Sequence, residues 1–295
     1  MVTNTSYRSI LINTRQIKIL SPAKINLFLQ VTGRRADGYH NLFTLMCCIS
    51  LYDTVSIEFG VAKTSVVCNS PKVPEDDSNI AVIAANTFFK KLGKNENIKI
   101  SIDKKIPVAA GLGGGSSNAA FILLGLNQYY GRPFSCDELI DMGLSIGADV
   151  PFFIFQKPAI ASGIGEKLEA YQKFDPFKVL VIYPGIGVST SDIYKNLNLG
   201  LTKCKKNLKN FCFNEQNFEV DQHLCNDLET VTASRYPDII DAKKALLYYG
   251  AKGALMSGSG PSVFGLFSDS DKAQKAYQII SKNNKWELFC ADMLI

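Results

Sequence analysis

Histidine is scarce in this chain: two occur in 295 residues, which excludes a histidine-rich metal centre. Long apolar runs are absent as well. The nearest candidate, Val179-Leu180-Val181-Ile182-Tyr183, stops at Pro184-Gly185 and reads as a buried strand. It falls far short of the ~18 residues that a membrane-spanning helix needs, so a soluble protein with no membrane partner is expected. The eight cysteines form no CxxC pair, and a chain this long can bury enough core to need no disulfide framework. Free thiols in a reducing cytoplasm are the expectation. No internal repeat and no low-complexity segment occurs.

What is present is a diffuse net charge of +5, with 46 % apolar and 20 % charged residues, the balance of a globular protein. Lysines gather at Lys203, Lys205, Lys206 and Lys209 without any nucleic-acid motif, and a solvated loop is expected there, with no nucleic-acid partner. A basic balance also suits an enzyme that handles phosphorylated ligands. The first 18 residues lack acids and carry Ser, Thr and Arg. That composition has a faint likeness to an organellar transit peptide, which leaves plastid import open, but a disordered or partly ordered extension is the expectation.

Periodicity gives a coarse layout. Ala23 to Val31 places apolar residues at 23, 25, 27, 29 and 31 and polar Lys24 and Asn26 between them, the pattern of a half-buried strand. A turn follows at 33–38, and Asp53 to Phe59 alternates again. Residues 80–92 read as a helix capped by Asn79 or Ser78, and 98–102 as a strand. Helices are expected from about 117 to 130 and 136 to 146, then near 221–233 and 237–249, with strands at 179–183 and 262–267. The pattern changes over 155–175, where Pro158, Gly163, Gly165 and Pro176 break it, and a domain boundary is placed near 160. Strands cluster rather than alternate with helices, so α+β with mixed or antiparallel sheets is expected rather than a doubly wound fold.

The densest chemical signal is Pro107-Val108-Ala109-Ala110-Gly111-Leu112-Gly113-Gly114-Gly115-Ser116-Ser117-Asn118. Four glycines in five positions free the backbone, and a helix starts directly after them. Unpaired N–H groups and the helix dipole there make an anion site suited to a di- or triphosphate, with Ser116 and Ser117 supplying hydroxyls for phosphate or a phosphate-bound metal. No Lys follows the last glycine, so the loop is not a Walker A motif. GxGxxS in place of GxGxxG, without an early βαβ unit, excludes the dinucleotide fingerprint.

This loop resembles the phosphate-binding motif of the GHMP kinases. Ser21-Pro22-Ala23-Lys24-Ile25-Asn26-Leu27 resembles their N-terminal motif, and Ser257-Gly258-Ser259-Gly260-Pro261-Ser262 their C-terminal glycine motif. The three occur in the expected order across residues 21–267. Two further stretches, Gly33-Arg34-Arg35-Ala36-Asp37-Gly38-Tyr39-His40 and Gly147-Ala148-Asp149-Val150-Pro151-Phe152-Phe153, resemble the diphosphocytidyl-methylerythritol kinases within that family, as does Ser162-Gly163-Ile164-Gly165-Glu166.

The resemblance implies a two-domain GHMP kinase fold, with an ATP-binding domain over 1–160, a substrate domain over 161–295 and the active site in the cleft between domains. It implies ATP and Mg²⁺ as cofactors and, as small-molecule substrate, a cytidine-diphosphate-linked methylerythritol phosphorylated at its C2 hydroxyl. Lys24 and Asp149 are implied to be catalytic, Asp149 taking the hydroxyl proton and Lys24 keeping the carboxylate ionised. On pattern alone Lys24 is a solvent-facing strand lysine and Asp149 a capping or turn residue.

For ATP the resemblance implicates Asn79, Lys104, Pro107, Gly111, Leu112, Gly113, Gly114, Gly115, Ser116 and Ser117, with Ser117 also implied for the metal. For the substrate it implicates Asn26, Tyr39, His40, Asp149, Thr190 and Tyr194, the last standing where the family usually has Phe. Tyr39-His40 after Asp-Gly is otherwise an ordinary hairpin feature. Asp227, in an Asn-Asp-Leu segment that the family shares, reads as a helix cap. A monomer or weak homodimer is expected.

Overall fold

The computed structural model describes residues 10–13, 15–197, 204 and 217–295. The expected lysine loop, apart from position 204, lies outside them, as do residues 1–9. The described chain divides into two compact units, each discontinuous in sequence: one within Met1–Ala23, Tyr52–Val108 and Gly114–Phe155, the other within Lys24–Leu51, Ala109–Gly113 and Gln156–Ile295.

In the first unit β1 (Ile10–Ile12) pairs antiparallel with the start of β2 (Gln16–Arg34), so residues 10–12 and 16–18 of the expected extension are a hairpin. The end of β3 (His40–Phe59) pairs antiparallel with β5 (Ile98–Asp103), and β4 (Ser65–Cys68) joins β5 in parallel. Four helices complete the unit: α1 (Ile80–Leu92), α2 (Gly114–Tyr129), α3 (Cys136–Ile146) and α4 (Val150–Phe155).

The expected spans of α1 and α3 agree with the structure to the residue, because both ends carry strong local signals. Asn79 Oδ1 accepts from Ala81 N (2.9 Å), Gly93 closes α1 at a φ of 69°, and Ser135 with Glu138 forms a capping box on α3. Helix α2 starts three residues earlier than expected. Gly114 and Gly115 therefore belong to its first turn, and only Gly111 and Gly113 of the four glycines take positive φ.

In the second unit the strand order is β2-β3-β12-β8-β11-β10, with β6 (Ala159–Gly163) and β7 (Lys167–Ala170) forming a hairpin that pairs with β3 through β6. β8 spans Lys178–Tyr183, β10 Gly253–Met256, β11 Val263–Phe267 and β12 Glu287–Leu294. Helices α5 (Thr190–Lys195), α6 (Val220–His223), α7 (Glu229–Arg235), α8 (Asp238–Tyr248) and α9 (Ser270–Ile280) accompany them. Leu180, Ile182, Val263 and Phe267 from the strands and Ile239, Leu246 and Ala276 from the helices share one buried core.

Four expectations fail in this unit. The helix over 221–233 is broken: α6 ends at His223, Cys225–Asn226 form a short β9 parallel to β2, and α7 starts at Glu229. Polar residues with distant partners prevail over helix propensity there. Asp227 is no helix cap. Its carboxylate accepts the backbone N–H groups of Val31 (2.9 Å) and Cys204 (3.3 Å), while Leu228 N donates to Asn226 Oδ1 (2.9 Å). Burial raises the Asp227 carboxyl above the ordinary carboxylate range. The thiols are not all free either, since Cys204 and Cys225 form a disulfide with a Cα separation of 5.6 Å. Lying 21 residues apart, they leave no spacing signal. Lastly, 23–31 is buried on both faces rather than half-buried.

Candidate active site

In the first unit the carboxylate of Asp53, fully buried on β3, accepts the N–H groups of Lys105 (2.8 Å) and Ile106 (2.9 Å) and pairs with the ammonium of Lys104. The segment from β5 into Pro107 is thereby pinned. The ammonium lies at the first turn of α2, where a Cβ added to Gly114 would come within 2.8 Å of Lys104 Nζ. Asn118, with its amide nitrogen toward these groups, reaches Gly114 O and Asp53 Oδ2 at 3.0 Å each.

This helix start combines the N–H groups of its first turn, a lysine ammonium and the Ser117 hydroxyl. Ser117 is buried, and its Oγ has no hydrogen-bond partner among the described residues. A hydroxyl left over in that way is open to a phosphate oxygen or a phosphate-bound metal. Ser116 is half-buried and Gly115 exposed beside it.

Two further segments converge on the same place within this unit. A Cβ at Gly115 would lie 3.7 Å from Ile80, the first residue of α1. One at Gly147 would lie 3.8 Å from Ile80 and 4.0 Å from Ser116 Oγ. Asp149 follows in that turn, half-buried and immediately before α4. Asn79 is buried, and its amide already caps α1 and donates to Pro74 O (2.6 Å). The first unit therefore gathers Lys104, Gly114, Gly115, Ser116, Ser117 and the Gly147–Asp149 turn around one helix start, and Pro107 follows directly on the pinned segment.

The second unit holds Lys24, Asn26, the first half of the glycine loop and the 257–262 loop. Lys24 N donates to Leu112 O (2.9 Å), and Lys24 Nζ donates to Asn26 Oδ1 (2.6 Å). Both side chains are buried, so the solvent-facing alternative for Lys24 is excluded. Ser257 Oγ donates to Gly111 O (2.9 Å) and lies 3.3 Å from Asn26 N, and Ser262 N donates to Ala110 O (3.2 Å).

The two loops meet backbone to backbone. At Gly111 (φ 79°) an added Cβ would overlap the Ser257 carbonyl oxygen and lie 3.0 Å from Gly260 N. Gly111→Ala is therefore expected to cost about 2–4 kcal/mol from strained φ and backbone overlap. Urea unfolding checks this, and a loss below 1 kcal/mol would contradict the interlock.

Asn226 escaped the sequence reading. Its Nδ2 donates to Met256 O and Gly258 O at 2.8 Å each, which clamps the 257–262 loop. Asp53 escaped it too, although an acid in register with buried Val55, Ile57 and Phe59 is a legible signal.

Elsewhere in the second unit, His40 and Tyr194 stack with ring centroids 5.1 Å apart and planes at 30°. The Thr190 and Ser259 hydroxyls are 2.8 Å apart, and Tyr39 is 59 % exposed. Burial, then the nearby charge of Arg34, lowers the His40 pKa below its ordinary value. The neutral ring is thus the favoured folded form, and its contribution to stability is present above pH ~6.5 and lost as pH falls below it. Histidine NMR should give a midpoint below the ordinary value, rising in Arg34→Gln. A midpoint at or above 6.5 would contradict this environment.

Residues 79–157 match the GHMP kinases N terminal domain family, and residues 205–285 match the GHMP kinases C terminal family. A 4-diphosphocytidyl-2-C-methyl-D-erythritol kinase of Syntrophotalea carbinolica is 46 % identical over 92 % of this chain and 97 % of its own length. One from Syntrophus aciditrophicus is 45 % identical over 93 % and 98 %. A solved structure of a 4-(cytidine 5'-diphospho)-2C-methyl-D-erythritol kinase superposes with a TM-score of 0.75 at 31 % identity, covering 94 % of this chain and 98 % of that one. A homoserine kinase of Cytophaga hutchinsonii, at 18 % identity and a TM-score of 0.72 over 97 % and 96 %, shares the fold. The chain belongs to the GHMP kinases and, within them, to the 4-diphosphocytidyl-2-C-methyl-D-erythritol kinases.

Proposed function

We propose that this chain transfers the γ-phosphoryl group of ATP to the C2 hydroxyl of 4-diphosphocytidyl-2-C-methyl-D-erythritol, releasing ADP, as a step of non-mevalonate isoprenoid precursor synthesis. The observation that carries this reading is the near end-to-end similarity, at 46 % identity, to a kinase named for that substrate. The D-G-Y-H segment at 37–40 supports a base-bearing substrate, which homoserine and mevalonate are not. In this reading His40, Tyr39 and Tyr194 hold the cytosine, and Thr190 contacts the diphosphate or erythritol portion.

The polyphosphate sits on the N–H groups at the start of α2, with Lys104 neutralising part of its charge, and Asn79 lines the nucleotide pocket. Asp149 accepts the proton of the attacking hydroxyl, and the Lys24 ammonium stabilises the negative charge that develops on transfer. Mg²⁺ takes only one or two protein ligands when bound to substrate phosphates, and the orphaned Ser117 hydroxyl fits that limited demand. Bound there, the metal would neutralise phosphate charge. Position and electrostatics supply most of the catalysis.

The bacterial origin of the relatives supports a cytoplasmic setting, and we take the working form to be a monomer or weak homodimer. We also place the functional division near residue 160. Isotopic labelling tests the reaction: with γ-³²P-ATP and the cytidine-linked alcohol, label should move to the alcohol, and its absence there would sink the reading.

A further inference from the structure

Thr44 lies on β3, is buried, and belongs to none of the recognised motifs. Its hydroxyl donates to the Phe28 carbonyl at 2.6 Å, while Asn26 Nδ2 donates to Thr44 Oγ1 at 2.9 Å. The chemistry of these groups fixes a direction. A main-chain carbonyl only accepts, so the single Thr44 proton is committed to Phe28 O. The remaining lone pairs of Thr44 then take a donor, which among the described residues is the NH₂ end of Asn26. The Asn26 carbonyl oxygen is consequently turned to Lys24 Nζ, 2.6 Å away, as an acceptor for the ammonium. Rotating the amide by 180° would set NH₂ against ammonium and leave Thr44 facing a second acceptor. All three side chains are buried, where an unsatisfied polar group is costly.

We infer that Thr44 is a positioning residue for phosphoryl transfer: through Asn26 it sets where the Lys24 ammonium points, without touching substrate itself. This rests on the role given to Lys24 under the proposed function. The hydroxyl is the active element, since Ser can make the same two bonds and isosteric Val can make neither.

The test is steady-state kinetics of ATP and the cytidine-linked alcohol on wild type, Thr44→Val, Thr44→Ser, Asn26→Ala and the Asn26→Ala/Thr44→Val double variant. Thr44→Val is expected to lower kcat about 10-fold, the size of one buried hydrogen bond, with both KM values within twofold. Thr44→Ser should recover kcat to within threefold of wild type. In the Asn26→Ala background Thr44→Val should cost less than twofold further, because the hydrogen-bonded link through Asn26 is already gone. Thr44→Ala, which also lacks the hydroxyl, takes the place of the Val variant if that one does not fold.

An unchanged kcat in Thr44→Val, a Ser variant as slow as the Val one, or an undiminished 10-fold loss in the Asn26→Ala background would each overturn the inference. Wild type without turnover on this substrate would instead sink the proposed function.

Discussion

Asp149→Asn should lower kcat by about 10³-fold, within the range that a positioned general base contributes, and leave the fold intact. The substitution keeps the size of the side chain but removes its negative charge and with it the capacity to take a proton. Asp149 stands in a turn anchored on both sides. Gly147 N donates to Gly143 O of α3 at 3.0 Å, and α4 begins at the next residue with Val150, Pro151, Phe152 and Phe153 buried. The backbone at 149 is therefore held by packing that the variant does not touch. ATP affinity should stay within threefold, because the helix start and Lys104 are unaltered. A kcat within threefold of wild type would remove Asp149 from the mechanism.

Asp53→Ala is expected to have the largest effect on stability, about 3–5 kcal/mol, since it strips a buried ammonium of its carboxylate. Two N–H groups, of Lys105 and Ile106, lose their acceptor in the same step. Asp53 is fully buried and Lys104 nearly so, which leaves little water to compensate. The same change should weaken ATP binding, because Lys104 is held against the first turn of α2 by this pair. The double variant Asp53→Leu/Lys104→Met separates the two roles. It should recover part of the stability, as an apolar pair often replaces a buried ion pair without loss, yet still bind ATP poorly. Urea unfolding and calorimetric ATP titration read the two effects. A stability loss under 1 kcal/mol, or wild-type ATP affinity in the double variant, would contradict them.

Local signals made the helix ends and the glycine-rich loop legible. Asn79, Gly93 and the 111–115 glycines each act within a few residues, so their meaning can be read without a fold. Long-range pairing was not legible. Alternation over 23–31 reads Lys24 and Asn26 as facing solvent, whereas Thr44 and Ser257, 18 and 231 residues from Asn26, cover that side.

The break at 224–228 has the same cause. Asn226 spends its amide on carbonyls 30 and 32 residues away, and Asp227 spends its carboxylate on Val31, so periodicity sees one helix where tertiary hydrogen bonds impose a short strand. Nothing in the local pattern at 40 or 194 announces that His40 meets Tyr194.

The central claim is that this chain phosphorylates a cytidine-linked alcohol. A coupled ADP-release assay with ATP and Mg²⁺ tests it most directly, run in parallel with 4-diphosphocytidyl-2-C-methyl-D-erythritol, homoserine and mevalonate. Turnover with the cytidine-linked alcohol alone, lost in Asp149→Asn, is the predicted result. Faster turnover on homoserine or mevalonate, or ADP release that ignores the added alcohol, would contradict it.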